Sequence, residues 1–309
     1  MSTQTLSNEF VSTTSSALMP ANRIGRLNRC TVAETVSFTG TGIHTAGTTT
    51  LRIHPAAIGT GLILKSTSPA KGIIPISPLS VTETAQAVTL SNGSWKVHTV
   101  EHVLCAMAAA GITDAILELD GTEIPILDGA AGELYRGIVA AGVLESDIPV
   151  EPIRLSAPVW VVKDDKYLVA IPASEFRVTY TIDFPHPELK GKTYHGLLNS
   201  EIMEQEILEA RTFGFLKEVE ELRRRGLGMG ASLENAVVLT DTGYLNDDLR
   251  YPDECLRHKV LDLVGDLYLL GRPILAHVLA FRAGHALDVA LGRNIIANLS
   301  GDELAVRRN

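Results

Sequence analysis

Short strand-like runs give way to helical ones, and after a proline-marked break at Asp147-Ile148-Pro149-Val150-Glu151-Pro152 the same succession starts again. In the first half, Thr31 to Phe38, Thr48 to His54, Gly61 to Lys65 and Ala87 to Leu90 have the β-branched or alternating character of strands. Trp95 to Val97 resumes it after a Ser91-Asn92-Gly93-Ser94 turn. Val100 to Ala110 reads as a helix, with Thr99 as its N-cap and Gly111 in the left-handed position past its end. Ile112 to Leu119 reads as a buried strand and Ala131 to Ala141 as a second helix. In the second half, Pro158 to Val162, Tyr167 to Ile171, Phe176 to Ile182, Ala236 to Leu239 and Ile274 to Arg282 read as strands. Helical periodicity runs over Glu201 to Arg225, interrupted near Arg211-Thr212-Phe213-Gly214, and returns at Ala286 to Ala297. Glu254 to Leu270 is the strongest amphipathic helix, stopped by Gly271 and Pro273. This order predicts an α+β fold of two domains, residues 23–150 and 151–309, each a sheet packed on helices. No repeat is visible in the residues themselves.

Several classes are excluded. A chain of 309 residues removes about 75% of its extended surface from water on folding, enough to be stable without staples. With 45% hydrophobic residues it is neither collagen-like nor disordered throughout. Its 27 basic and 36 acidic residues give a net charge of −9, and no long basic tract offers a nucleic-acid surface. Arg223-Arg224-Arg225 reads as a solvated helix end. The most apolar stretch, Leu261 to Phe281, is broken by Asp262, Asp266, Arg272, Pro273 and His277, so no transmembrane segment is expected. Residues 1–22 are rich in Ser and Thr and lack Lys and Arg; they read as a disordered tail, a plastid transit peptide being the alternative. Cys30, Cys105 and Cys255 are odd in number and far apart, which fits a reducing cytoplasm better than a disulfide framework.

Three of the histidine-bearing segments stand in unusual company. Val97-His98-Thr99-Val100-Glu101-His102 sets a carboxylate beside an imidazole at a helix start. Arg257 to Asp266 places His258, Asp262 and Asp266 at four-residue intervals, on one helical face. Arg282-Ala283-Gly284-His285 lies at a strand-to-helix junction. An imidazole and a carboxylate at i, i+4 make a clip for a divalent ion, and one more imidazole gives His102, His258 and Asp262, with a position left open. The competing reading is a capping histidine with a surface ion pair. Leu269 and Leu270 near that face weigh against it, since a buried carboxylate needs a partner. Spacing alone leaves both readings open.

His98 to His102, Glu123 to Gly129, Arg211 to Phe215 and Arg257 to Asp266, with Gly40 to Thr45 and Gly284 to Leu287, resemble the UDP-3-O-acyl-N-acetylglucosamine deacetylase family. The resemblance runs from about residue 24 to about residue 295, with the motifs in family order. It implies a zinc-dependent amidohydrolase of lipid A synthesis, with the active site between two sandwich domains; a cytoplasmic monomer is expected. The substrate implied is an acylated UDP-amino-sugar, UDP-3-O-(3-hydroxyacyl)-N-acetylglucosamine, from whose 2-acetamido group acetate is released. The metal ligands implied are His102, His258 and Asp262, holding one zinc ion, with iron(II) as the alternative occupant. Glu101 matches the general base, His285 the second acid/base group and Asp266 the carboxylate that orients it. Thr212 and Lys259 match donors near the oxyanion and substrate, and Phe213 an aromatic beside the sugar or acyl chain.

Other features have two readings. His44 matches a family histidine near the metal, and either binds a second zinc or is a structural hydrogen-bonding residue. Thr193 to Ala210, including Leu197 and Leu198, corresponds to a family segment that encloses the acyl chain; ordinary helix packing is the alternative. Gly226 to Gly230 lacks the lysine of a phosphate loop and reads as a helix stop and turn. Arg282-Ala283 departs from the family's usual Lys-Ser, which puts nucleotide phosphate contacts by Arg282 in doubt, and Asp288 also departs from the pattern. Two rival functions are a non-haem iron oxygenase, which uses a similar triad but leaves Glu101 without a task, and a catalytically silent nucleotide-sugar-binding protein.

Overall fold

Two sheets with one strand order frame the molecule. In the computed structural model, which describes residues 28–306, the first sheet runs Val36–Thr41, Thr48–Pro55, Ala115–Asp120, Leu62–Ser66, Ile73–Pro75. The second runs Val159–Lys163, Lys166–Pro172, Ile274–Phe281, Arg177–Ile182, Lys192–Leu197, with Ile153–Arg154 paired beside its central strand. Pairing is antiparallel except where the central strand meets Leu62–Ser66 in the first sheet and Arg177–Ile182 and Ile153–Arg154 in the second, which it meets in parallel. The last strand of each set enters the middle of its sheet. A duplication invisible in residue identity is therefore plain in topology. Residues 1–22, read as a disordered tail, lie outside the described residues.

Six helices are described: α1 (Glu101–Ala110), α2 (Gly132–Ala140), α3 (Ser200–Glu206), α4 (Val219–Arg224), α5 (Glu254–Tyr268) and α6 (His285–Val306). In each half one helix precedes the central strand (α1, α5) and one follows it (α2, α6). All ten residues of α1 are buried, and so are all of α5 except Arg257 and Lys259. This accounts for the apolar run Val103 to Ala110: α1 has no solvent face, being packed against both α2 and α5. Inward-facing Leu51, Ile53, Leu117, Leu119, Val178 and Val278 join the same core. Among the described residues no helix is long and apolar enough to cross a membrane.

Several sequence expectations change. The strand read over Thr31 to Phe38 is two strands, Asn28–Val32 and Val36–Thr41, bent apart at residues 33–35. The first pairs with Val143–Pro149, so the proline-marked break begins inside a strand and only residues 150–152 join the sheets. Thr99 does not cap α1. Its φ is 62°, and its hydroxyl donates to Glu123 Oε1 at 3.0 Å, leaving the helix start without a side-chain cap. Gly111, at φ 73°, does close the helix in the left-handed conformation. The periodicity over Glu201 to Arg225 divides into α3, a strand at Phe213–Phe215 and α4, because the chain must turn inward for Arg211 to reach Glu254.

Candidate active site

α1 and α5 cross so closely that a Cβ on Gly265 would lie 2.0 Å from the carbonyl oxygen of Glu101. Only glycine permits this approach, and it brings the first turn of α1 over the middle of α5. His102, His258 and Asp262 are buried there, each with one donor atom within 4.8 Å of the others. His258 Nε2 lies 3.2 Å and His102 Nε2 3.9 Å from Asp262 Oδ1. The two rings meet edge to face at 5.1 Å between centroids.

Two of the three donors, His102 and Asp262, are in the states a divalent ion requires. Burial, helped by His258, pushes His102 down to about 3, so its imidazole is neutral. Burial works against the Asp262 carboxylate, but His258, Lys259 and His285 outweigh it and hold the group well below the usual carboxylate range. His258 Nδ1 lies 3.0 Å from the carbonyl of Ala210; with the proton on Nδ1, that N–H donates to the carbonyl and the Nε2 lone pair faces Asp262. Two imidazoles and one carboxylate, converging in a buried pocket, fit a divalent ion. Arg211 fixes the Ala210 segment through its buried bond to Glu254 Oε1, 2.8 Å long, at the start of α5.

Glu101, Asp266 and His285 surround this triad. Glu101 Oε2 accepts from the Val88 N–H at 3.1 Å, and Oε1 stands 4.0 Å from His285 Nε2. Burial, reinforced by Asp266 and Asp262 against the opposing influence of His285, raises Glu101 to about 8. His285 Nδ1 is 2.7 Å from Asp266 Oδ2, and its Nε2 is 3.9 Å from Asp262 Oδ2, so the ring is held with Nε2 toward the centre. Burial, then Asp262, pushes Asp266 well up. Lys259 donates to Asp262 Oδ2 at 2.7 Å, which engages its ammonium with that carboxylate.

A cavity of about 730 Å³ opens from these groups. Thr212, Phe213, Lys259, Arg282 and His44 line it. Arg282 pairs with Asp165 and lies 4.0 Å from Asp183, so carboxylates already engage it. Leu197 and Leu198 do not line the cavity: Leu197 is half-buried in the second sheet and Leu198 is in the core. Met203, Ile207 and Leu208 are core residues too. The apolar lining comes instead from Phe184, Phe213, Phe215, Leu216, Val219 and Leu222. Gly226 to Gly230 forms the turn expected, and the Gly228 N–H donates to His44 Nδ1 at 3.3 Å.

Sequence reasoning missed three participants. Ala210 acts through its carbonyl, which no residue-type motif reveals. Asp288, noted only as a departure, is fully buried and groups with Asp266 and His285 within 4.8 Å; burial and then Asp266 push its carboxyl well up. Glu123 opens the segment Glu123 to Gly129, where residue type alone signals no role for it. Cys255 is buried, and burial pushes its thiol up, so it is no nucleophile.

The family model described as UDP-3-O-acyl N-acetylglycosamine deacetylase matches residues 29–297. A relative from Leptospira biflexa named UDP-3-O-acyl-N-acetylglucosamine deacetylase is 49% identical over 280 residues, 90% of this chain and 93% of its own. Relatives of the same name from Myxococcus xanthus and Pseudomonas entomophila are each 40% identical, over 91% and 89% of this chain and 90% and 92% of their own.

Proposed function

The chain belongs to the UDP-3-O-acyl-N-acetylglucosamine deacetylase family, and from that we propose that it hydrolyses the 2-acetamido group of UDP-3-O-(3-hydroxyacyl)-N-acetylglucosamine in the cytoplasm, an early step of lipid A biosynthesis. Water adds to the acetyl carbonyl, the C–N bond breaks, and acetate leaves with the free amine. The observation that carries the reading is the convergence of His102, His258 and Asp262 beside Glu101 and His285 at the end of one large cavity.

The ion proposed is zinc, held by His102, His258 and Asp262; when bound it supplies Lewis acidity to the water and the amide carbonyl. Glu101, not needed as a ligand, takes the proton of the attacking water at Oε1 in its ionised form, which a cation held beside it would favour over the protonated form that burial alone favours. His285, turned by its Nδ1 contact to Asp266, presents Nε2 to give a proton to the departing nitrogen. Lys259 holds the Asp262 carboxylate and adds positive charge where the carbonyl oxygen becomes negative. Thr212 and Phe213 border the sugar, and the apolar wall from Phe213 to Leu222 takes the acyl chain. Glu101, adjacent to His102, also favours a hydrolase over an iron oxygenase, which has no use for a base at that point.

The test is acetate release from the acylated UDP-amino-sugar by protein of measured metal content. Stoichiometric zinc with turnover is the expected outcome. Metal-replete protein that binds the substrate and releases no acetate would support the silent binding protein instead.

A further inference from the structure

Glu123 lies outside the reacting groups, is fully buried, and receives four hydrogen bonds on its carboxylate. Oε1 accepts from the His44 N–H at 2.9 Å and from the Thr99 hydroxyl at 3.0 Å. Oε2 accepts from the Thr45 N–H at 2.8 Å and the Thr45 hydroxyl at 2.6 Å. The loop folds over this carboxylate so tightly that a Cβ on Gly42 would fall 2.1 Å from Oε2.

The two partners of Oε1 belong to different walls of the cavity. His44 lines one wall and is held there by Gly228 and Met229 of the other half of the chain. Thr99 lies two residues before Glu101 and has a φ of 62°, a strained conformation for a β-branched residue. Its N–H donates to the Val88 carbonyl, and the N–H of the same Val88 donates to Glu101 Oε2. Thr99 thus fixes how the chain enters α1, and with it where Glu101 stands.

We propose that Glu123 is a positioning residue for the hydrolysis: one carboxylate oxygen ties the His44 wall to the Thr99 turn and so sets the distance between that wall and Glu101. The inference rests on the deacetylase reading. It is specific to a carboxylate. In Glu123→Gln the amide nitrogen must replace one oxygen, where it faces the N–H of either His44 or Thr45. The threonine hydroxyls can turn and accept, but a backbone N–H cannot. One backbone bond is therefore lost whichever way the amide is turned.

Glu123→Gln, Thr99→Val and the double variant should be compared in kcat, KM, metal content and amide hydrogen exchange. Glu123→Gln should lower kcat about tenfold or more, with KM within about threefold and metal content unchanged. Exchange over residues 42–47 should speed up about tenfold, a readout independent of turnover. Thr99→Val keeps the branched shape and removes only the donor, so its loss should be smaller, and the double variant should be within about twofold of Glu123→Gln. Losses that multiply in the double variant, or a Glu123→Gln protein with wild-type kcat, overturn the proposal. If Glu123→Gln does not fold, Thr99→Val with wild-type kcat overturns it. A wild-type protein releasing no acetate overturns the reaction itself, and the clamp with it.

Discussion

Gly265 lies directly beneath the carbonyl of Glu101, with space for a hydrogen and none for a methyl group. Gly265→Ala must therefore push α1 and α5 apart by about 1 Å merely to relieve the overlap. A displacement of that size at the reacting groups costs about 10² in rate. We expect kcat to fall by that order and metal affinity to weaken, since His102 moves with α1 while His258 and Asp262 stay on α5. Wild-type turnover and metal affinity in Gly265→Ala would remove the helix crossing from the explanation.

Metal removal should act on stability as well as on activity. Zinc, the ion proposed, would at about 1,000 times its dissociation constant stabilise the folded chain by about 4 kcal/mol. Chelation should abolish turnover and lower the melting temperature, and zinc should restore both. Alanine at His102, His258 or Asp262 should each remove that zinc-dependent rise, measured by differential scanning calorimetry. A full rise in any one of the three variants would strike that residue from the ligand set.

Glu101→Gln should keep the metal and lower turnover by about 10²–10⁴. Metal-free protein offers a second test. Glu101 is raised to about 8 in the fold, so folding favours its protonated form; that stability is complete below the unfolded pKa of about 4.5 and lost as pH rises through 8. His102, pushed down to about 3, acts in the opposite sense: its contribution is present above about 6.5 and lost as pH falls through 3. Between about 6.5 and 8 the His102 contribution is constant, and comparison with Glu101→Gln isolates the Glu101 effect. The stability of Glu101→Gln relative to wild type, both metal-free, should therefore rise across that window. A difference independent of pH there would mean that Glu101 is already ionised in the apo fold.

Substrate series should locate the acyl chain. Each methylene buried against Phe215, Leu216, Val219 and Leu222 is worth about 0.8 kcal/mol, close to fourfold in kcat/KM. Leu222→Asp should cost long-chain substrates heavily and short-chain ones little. Equal losses for both would place the chain elsewhere.

Legibility in the sequence followed the range of the forces involved. α5 was readable almost to its ends, because a strong amphipathic period and Gly271 are local signals, and its i, i+4 clip comes with them. The meeting of that clip with His102 depends on Gly265, whose role exists only once two distant helices cross. Thr99 looked like a cap because its residue type suits one. Glu123, 24 positions away, competes for its hydroxyl, and that contact is not local. Leu197 and Leu198 were apolar in the right neighbourhood, but strand pairing turned them into the sheet and the core, while Phe213 to Leu222 faced the cavity. The duplicated strand order left no trace in residue identity, because topology constrains patterns of burial more than particular side chains.

That strand order also bears on how the protein is made. In each sheet the middle position is filled last, by Ala115–Asp120 in one and Ile274–Phe281 in the other. The first gap closes while much of the chain is still being synthesised. The second stays open from Ile182 until Ile274 emerges, on the order of 10 s at ribosomal speeds. During that interval the facing edges of Lys166–Pro172 and Arg177–Ile182 have no neighbour, which is when a nascent chain is most exposed to wrong pairing. His285 follows directly after the closing strand. The ribosome thus delivers His285, the proton donor proposed above, only after the last gap can be filled, and a product truncated before it would carry the proposed ligands without the proposed means to finish the reaction.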